Sequence, residues 1–194
     1  MTTIDADQAT ELLKGIPDGL GEHIHLPQEL ELLEGFDGSE LTITGPTLVS
    51  RGLKVQGVLR VEESGLLVVL GQVDARASIV CGQMVVSGSF NAQHIYANSS
   101  NNHSLVVGGD LTATSVMEKG QEIIILNKII TNIIISLTNN IITYHGISAR
   151  HDFTDGLPDH GAIFAPHVLD ANGRFLEANY VSALREADET ALKL

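Results

Sequence analysis

One cysteine, Cys81, among 194 residues leaves no pair from which an internal disulfide could form. Positive charge is also scarce, with 11 Lys and Arg against 24 Asp and Glu for a net charge of −13. That balance argues against binding a nucleic-acid backbone or an anionic lipid surface. No stretch reaches the roughly 18 uninterrupted apolar residues of a membrane span. The opening MTTIDADQAT has neither the positive charge nor the apolar run of a secretory signal. A cytoplasmic protein with no membrane association is the simplest expectation. Also missing are a GxGxxG fingerprint, a phosphate loop, a GxSxG elbow, a CxxC pair and an HExxH motif, so no catalytic residue and no cofactor are expected.

What the chain does contain is repetition. LLVVLGQVDA, QMVVSGSFNA, SLVVGGDLTA, EIIILNKIIT and NIITYHGISA are five copies of one phrase, two apolar pairs around a corner. The corner residues are Gly71, Gly88, Gly109, Asn127 and His145, which step by 17 (71 to 88), 21 (88 to 109), 18 (109 to 127) and 18 (127 to 145). Such residues tolerate a left-handed backbone, which these corners are expected to adopt. Between 105 and 147 a large aliphatic residue recurs every sixth position, as in Leu105, Leu111, Met117, Ile123 and Ile129. Three such sixes make one coil of a β-solenoid.

Strand alternation places a second interior residue two positions later. The expected inward pairs therefore include Ile79 with Cys81, Met117 with Lys119 and Ile135 with Leu137, and Lys119 is the one misfit. The long coil contains NSSNNHS (98–104), a polar cluster that predicts a bulged loop with an exposed, mobile tip.

The organisation that follows is an all-β core at 41–149 between an acidic N-terminal cap at 1–40 and a loop with a C-terminal helix at 150–194. Residues 1–40 hold ten acids and one base, whereas 41–149 hold six of each. The hydrophobic content of 43% suffices for one substantial core. Asp5 or Asp7 is placed to cap a short helix ending at Gly15, and Pro27 to open another ending at Gly35. Leu176, Tyr180, Ala183, Leu184 and Ala187 share one stripe of a helix over 176–190, which packs on the solenoid.

Outward positions on the first face read Val68, Val85, Val106, Ile124 and Ile142. Monomers seldom leave such an aliphatic ladder bare, so it predicts either a cover by a terminal segment or a partner chain on the same face. On the second face the same positions read Asp74, Asn91, Thr112, Ile130 and Ser148, which are mostly polar.

The VVxGxLxA phrase, in coils of about eighteen residues, resembles the bactofilin or polymer-forming cytoskeletal group of bacterial β-helix proteins over 53–149. The resemblance implies a right-handed, single-stranded parallel β-helix that assembles end to end without nucleotide. The tail IFAPHVLDANGRFLEANYVSALREA resembles the helical C-terminal extension of uncharacterised relatives of that group rather than the disordered tail of filament formers. The expected function is a non-enzymatic scaffold or interaction module, whose partner is itself or another protein, joined through the aliphatic face or a coil end. The alternative is a metal-dependent or acyl-transferring solenoid enzyme, with His145, His151 and Asp152 as the weak metal candidates. Their spacing fits no established ligand pattern, and a hydrated loop has the same composition.

Overall fold

The computed structural model describes residues 2–138, 140–156 and 159–193. The chain winds into a β-solenoid of about 7 turns with about 18 residues per coil. It opens with β1 (Thr2–Asp5) and α1 (Ala6–Leu12), followed by β2 (Glu29–Leu33), β3 (Phe36–Gly38), β4 (Leu41–Ile43) and β5 (Pro46–Val49). The regular coils comprise β6 (Leu53–Val61), β7 (Leu66–Val69), β8 (Val73–Val80), β9 (Gln83–Val86), β10 (Phe90–Asn98) and β11 (Ser104–Val107). They continue as β12 (Leu111–Lys119), β13 (Glu122–Ile125), β14 (Ile129–Ser136), β15 (Ile141–Thr143) and β16 (Ile147–Phe153), before α2 (His160–Ile163) and α3 (Glu177–Arg185).

The short strands stack into one sheet in the order β1-β2-β5-β7-β9-β11-β13-β15, the first face. The long strands stack as β16-β14-β12-β10-β8-β6-β3, with β4 also on β6, and each long strand bends to supply the second and third faces. Pairing between coils is parallel and in register, so Leu105 lies against Ile123, and Ile123 against Ile141. Parallel pairing already begins between β2 and β5 and runs to β16, so the solenoid extends beyond 41–149 at both ends.

From β8 onward the third face is out of phase with its expected pattern, whereas in β6 two residues, Gln56 and Gly57, leave the ladder and Leu59 and Val61 stay inward. At the later bends one residue drops out: Gln93 between Ala92 and His94, Thr114 between Ala113 and Ser115, Asn132 between Thr131 and Ile133. Alternation therefore restarts one position early. Val80, Ile95, Ala97, Val116 and Ile134 belong to the interior column, whereas Ile79, Tyr96, Met117 and Ile135 point outward. Cys81 and Leu137 also lie on the outer side. This correction removes the Lys119 misfit, because Lys119 faces outward and Glu118 takes the inward place, fully buried. The Glu118 carboxylate accepts from the backbone N–H groups of Gly120 and Thr138 and from the hydroxyls of Ser136 and Thr138. Four donors make an interior carboxylate tolerable where one or two would not.

Among the five corners only Gly71 is left-handed, at φ 138°. Gly88 is needed for closeness instead, since a Cβ there would sit 2.8 Å from the Gly71 carbonyl of the neighbouring coil. Asn127 and His145 have ordinary backbone, and the left-handed step of the last coil is taken by Gly146 at φ 84°.

Asp5 caps α1 in a reciprocal capping box with Gln8. No helix follows Pro27. The segment ELELL alternates with period two, so Leu30 is buried while Glu29 and Glu31 stay in water, and it forms β2 between β1 and β5. Antiparallel β1 closes that end of the first sheet. The terminal helix is shorter than 176–190: α3 ends at Arg185, and Ala187 turns left-handed at φ 58°.

Two substitutions test the phase and the buried acid. Ile134→Asp should prevent folding, because it places an unpaired carboxylate in the column, whereas Ile130→Asp should change stability by about 0.5 kcal/mol or less. Glu118→Gln keeps the shape but sets an amide N–H₂ against backbone donors, and should lower unfolding free energy in urea by about 1–3 kcal/mol.

Candidate interaction surface

Two of the three faces are covered by the chain itself. On the first face, Val68, Val85, Val106 and Ile124 are all buried. Ile4, Ala9, Leu13 and Leu26 pack over the early coils, and Ile16, Leu20 and Ile24 over the later ones. The cover is therefore the N-terminal segment, not the C-terminal helix. It stops one coil short, leaving Ile142 at 46% exposure and Tyr144 at 69%.

The C-terminal segment covers the third face. The outward residues Val58, Ile79, Tyr96, Met117 and Ile135 meet Ile163, Phe164, Val168, Tyr180 and Leu184. Aromatic residues are few, yet Tyr96, Phe164, Phe175 and Tyr180 gather here. Tyr96 and Tyr180 meet edge to face at 5.5 Å, and Phe164 and Phe175 lie 4.8 Å apart. Beside them Glu177, in the first turn of α3, takes a salt bridge from Lys119 and a hydrogen bond from Asn98.

Burial opposes the Glu177 charge, but the hydrogen bonds from Lys119 and Asn98, the nearby Tyr96 hydroxyl and the Lys119 charge outweigh it and hold the carboxyl below its usual range. Burial pushes the Tyr96 hydroxyl up, and the facing Glu177 carboxylate adds to that. Cys81 is half-buried in this cleft rather than in the interior column. Burial raises its thiol, Arg60 opposes the rise, and Glu63, Glu62 and Glu177 reinforce it, which favours the protonated form.

The polar insertion is pinned rather than loose. Ser99 and Ser100 donate to Glu63, and Ser104 exchanges two hydrogen bonds of 2.8 Å with Gln83, leaving Asn101 and Asn102 as the exposed tip. His103 of this loop lines a cavity of about 320 Å³ with His23, His25 and Glu63. The weak metal candidates are not brought together. His145 sits at the corner after β15, His151 stacks on Phe153, and Asp152 is taken up by the backbone and hydroxyl of Thr154. Among the described residues no three His, Cys, Asp or Glu side chains are placed to hold a metal ion.

The remaining candidate is the last coil. β15 and β16 each have a neighbour on one side and, among the described residues, none on the other. Ile141, Ile147 and Ala149 continue the interior column but are only half-buried, so the column ends open. Unpaired edges and half-exposed Ile side chains make this end a template for further strands. No helix among the described residues is long and apolar enough to cross a membrane.

The low Glu177 carboxyl gives a pH prediction. A carboxyl held below its ordinary value of 4.5 adds stability above that value and loses it as pH falls through the folded one. Near-ultraviolet tyrosine signal should therefore report loosening of α3 as pH drops below about 4.5, and Glu177→Gln should loosen α3 at neutral pH and flatten that dependence. Compared with known proteins, the chain matches no family model, no curated protein and no solved structure.

Proposed function

We propose that this protein is a non-enzymatic scaffold that associates with further copies of itself through its last coil. The observation that carries the reading is the contrast between the solenoid's surfaces. The first and third faces are sealed by the chain's own segments, while the last coil keeps open strand edges beside exposed Ile142 and Tyr144. A second copy that continues the stack would satisfy those edges and bury the half-exposed ends of the Ile141 and Ile147 columns. Each half-exposed side chain so buried contributes about 1 kcal/mol, roughly half of what full burial from water gives.

The resemblance to the bactofilin group supports the same direction, since it implies end-to-end assembly without nucleotide. Association through the aliphatic face is the weaker half of the original expectation, because its first four residues already lie beneath the N-terminal segment. The reading places the protein in the cytoplasm, where an unpaired thiol stays reduced, and gives it no role on nucleic acid or membrane.

Light scattering across a concentration series tests it. The apparent mass should rise with concentration, and the double substitution Ile142→Lys, Tyr144→Lys should return the protein to a monomer with an unchanged far-ultraviolet spectrum. A strict monomer at every accessible concentration would overturn the proposal.

A further inference from the structure

The second face is the one that neither terminal segment covers, and it is not flat. Where each long strand bends, the floor is built from the in-register residues Val55, Ala75, Ala92, Ala113 and Thr131. An open trough of about 570 Å³ results, running along the stack across the coils of β6, β8, β10, β12 and β14.

The charged groups along it are already engaged. Asp74 accepts from Gln72 at 2.8 and 3.0 Å and from Asn91 at 3.0 Å. Arg76 donates to the carbonyls of Leu184 and Arg185 at 2.9 and 3.3 Å, and Lys54 lies 3.7 Å from Asp37. Of the neutral groups, Asn91 donates to Asp74 and the Thr131 hydroxyl to the carbonyls of Thr114 and Ile133, and the others are not engaged. Among the described residues, the side chains of Gln56, Gln93, Thr112, Thr114 and Asn132 line the trough with no hydrogen-bond partner in the protein. Every coil from β6 to β14 contributes at least one polar lining side chain, and the coils repeat at about 4.8 Å.

That lining selects its occupant by chemistry. A nucleic acid requires unpaired cations, which the trough lacks in a chain of net charge −13. An extended peptide joining by strand addition requires a run of open backbone groups, and in the trough only isolated residues at the bends lie outside the ladder. An apolar partner finds one large exposed side chain, Ile130, beside the part-exposed methyls of Ala75 and Ala92. A neutral polymer of closely spaced hydroxyls fits, because side-chain amides and hydroxyls both donate to and accept from it. An extended β-linked hexose chain repeats over nearly the distance of one coil.

The geometry points to this trough as a binding site for a neutral β-linked polysaccharide lying along the solenoid axis. No aromatic ring lines the trough for stacking, so each sugar contributes little, and affinity accumulates with the number of coils engaged. The trough lies on a different face from Ile142 and Tyr144, neither of which lines it.

Titration of the isotope-labelled full chain with cello-oligosaccharides and chito-oligosaccharides of increasing length tests the site. Amide shifts should concentrate at Ala92, Gln93, Ala113 and Thr114, and affinity should tighten until the oligosaccharide spans the five coils. Gln93→Ala and Asn132→Ala, both exposed, should each weaken binding about fivefold with the spectrum of the free protein otherwise unchanged. Ile142→Lys with Tyr144→Lys should leave it intact. No shifts in the trough, affinity that does not grow with length, or tighter binding of polygalacturonate than of the neutral oligosaccharides would each overturn the assignment.

Discussion

Register between successive coils is the constraint from which the rest of the molecule follows. Once Leu105 lies on Ile123 and Ile123 on Ile141, backbone hydrogen bonds run along the stack and the inward side chains form one apolar column. A slip of one residue would turn the whole inward set outward, which makes register strongly specified wherever one side is dry. The bend in each long strand is part of the same constraint. From β8 onward it drops one residue from the ladder, so interior places such as Ala113 and Val116 stand three residues apart.

That bend decides what the surfaces become. By restarting the alternation early it turns Ile79, Tyr96, Met117 and Ile135 outward, and an aliphatic and aromatic face of this size requires a cover. The C-terminal segment supplies it, with Lys119 and Glu177 fixing its approach. The N-terminal segment meets the same need on the first face. The terminal segments are therefore lateral straps more than end plugs, and the acid they carry leaves the coil itself nearly neutral. What they leave uncovered is the last coil and the second face.

Much of this was legible in the sequence because a solenoid repeats its own instructions. The coil length, the inward pairs of the first two faces, the Asp5 cap, the site of the polar insertion and the need to cover the Val68 to Ile124 ladder all follow from spacing and side-chain type. The third face was not legible, because counting by sixes treats every corner alike, and only backbone geometry shows that one corner consumes a residue. The sequence did carry a sign of it, since Lys119 fell on an inward position while Glu118 beside it had Ser136 and Thr138 one coil away to receive it. Pro27 misled in another way. A helix-opening residue outweighed the period-two pattern of ELELL, although the strand was decided by pairing with a β1 far from it in sequence. The trough was invisible for a related reason, since alanines on an interior phase read as small core residues, not as the floor of an open bend.

Methyl-to-methyl contacts in solution test the stacked register most directly. With Ile and Leu methyl groups labelled, the account predicts cross-peaks from Leu105 to Ile123 and from Ile123 to Ile141, none from Leu105 to Ile141, and Ile135 methyls close to the rings of the C-terminal cover. Cross-peaks joining Ile135 to the interior column, or none between Leu105 and Ile123, would contradict it.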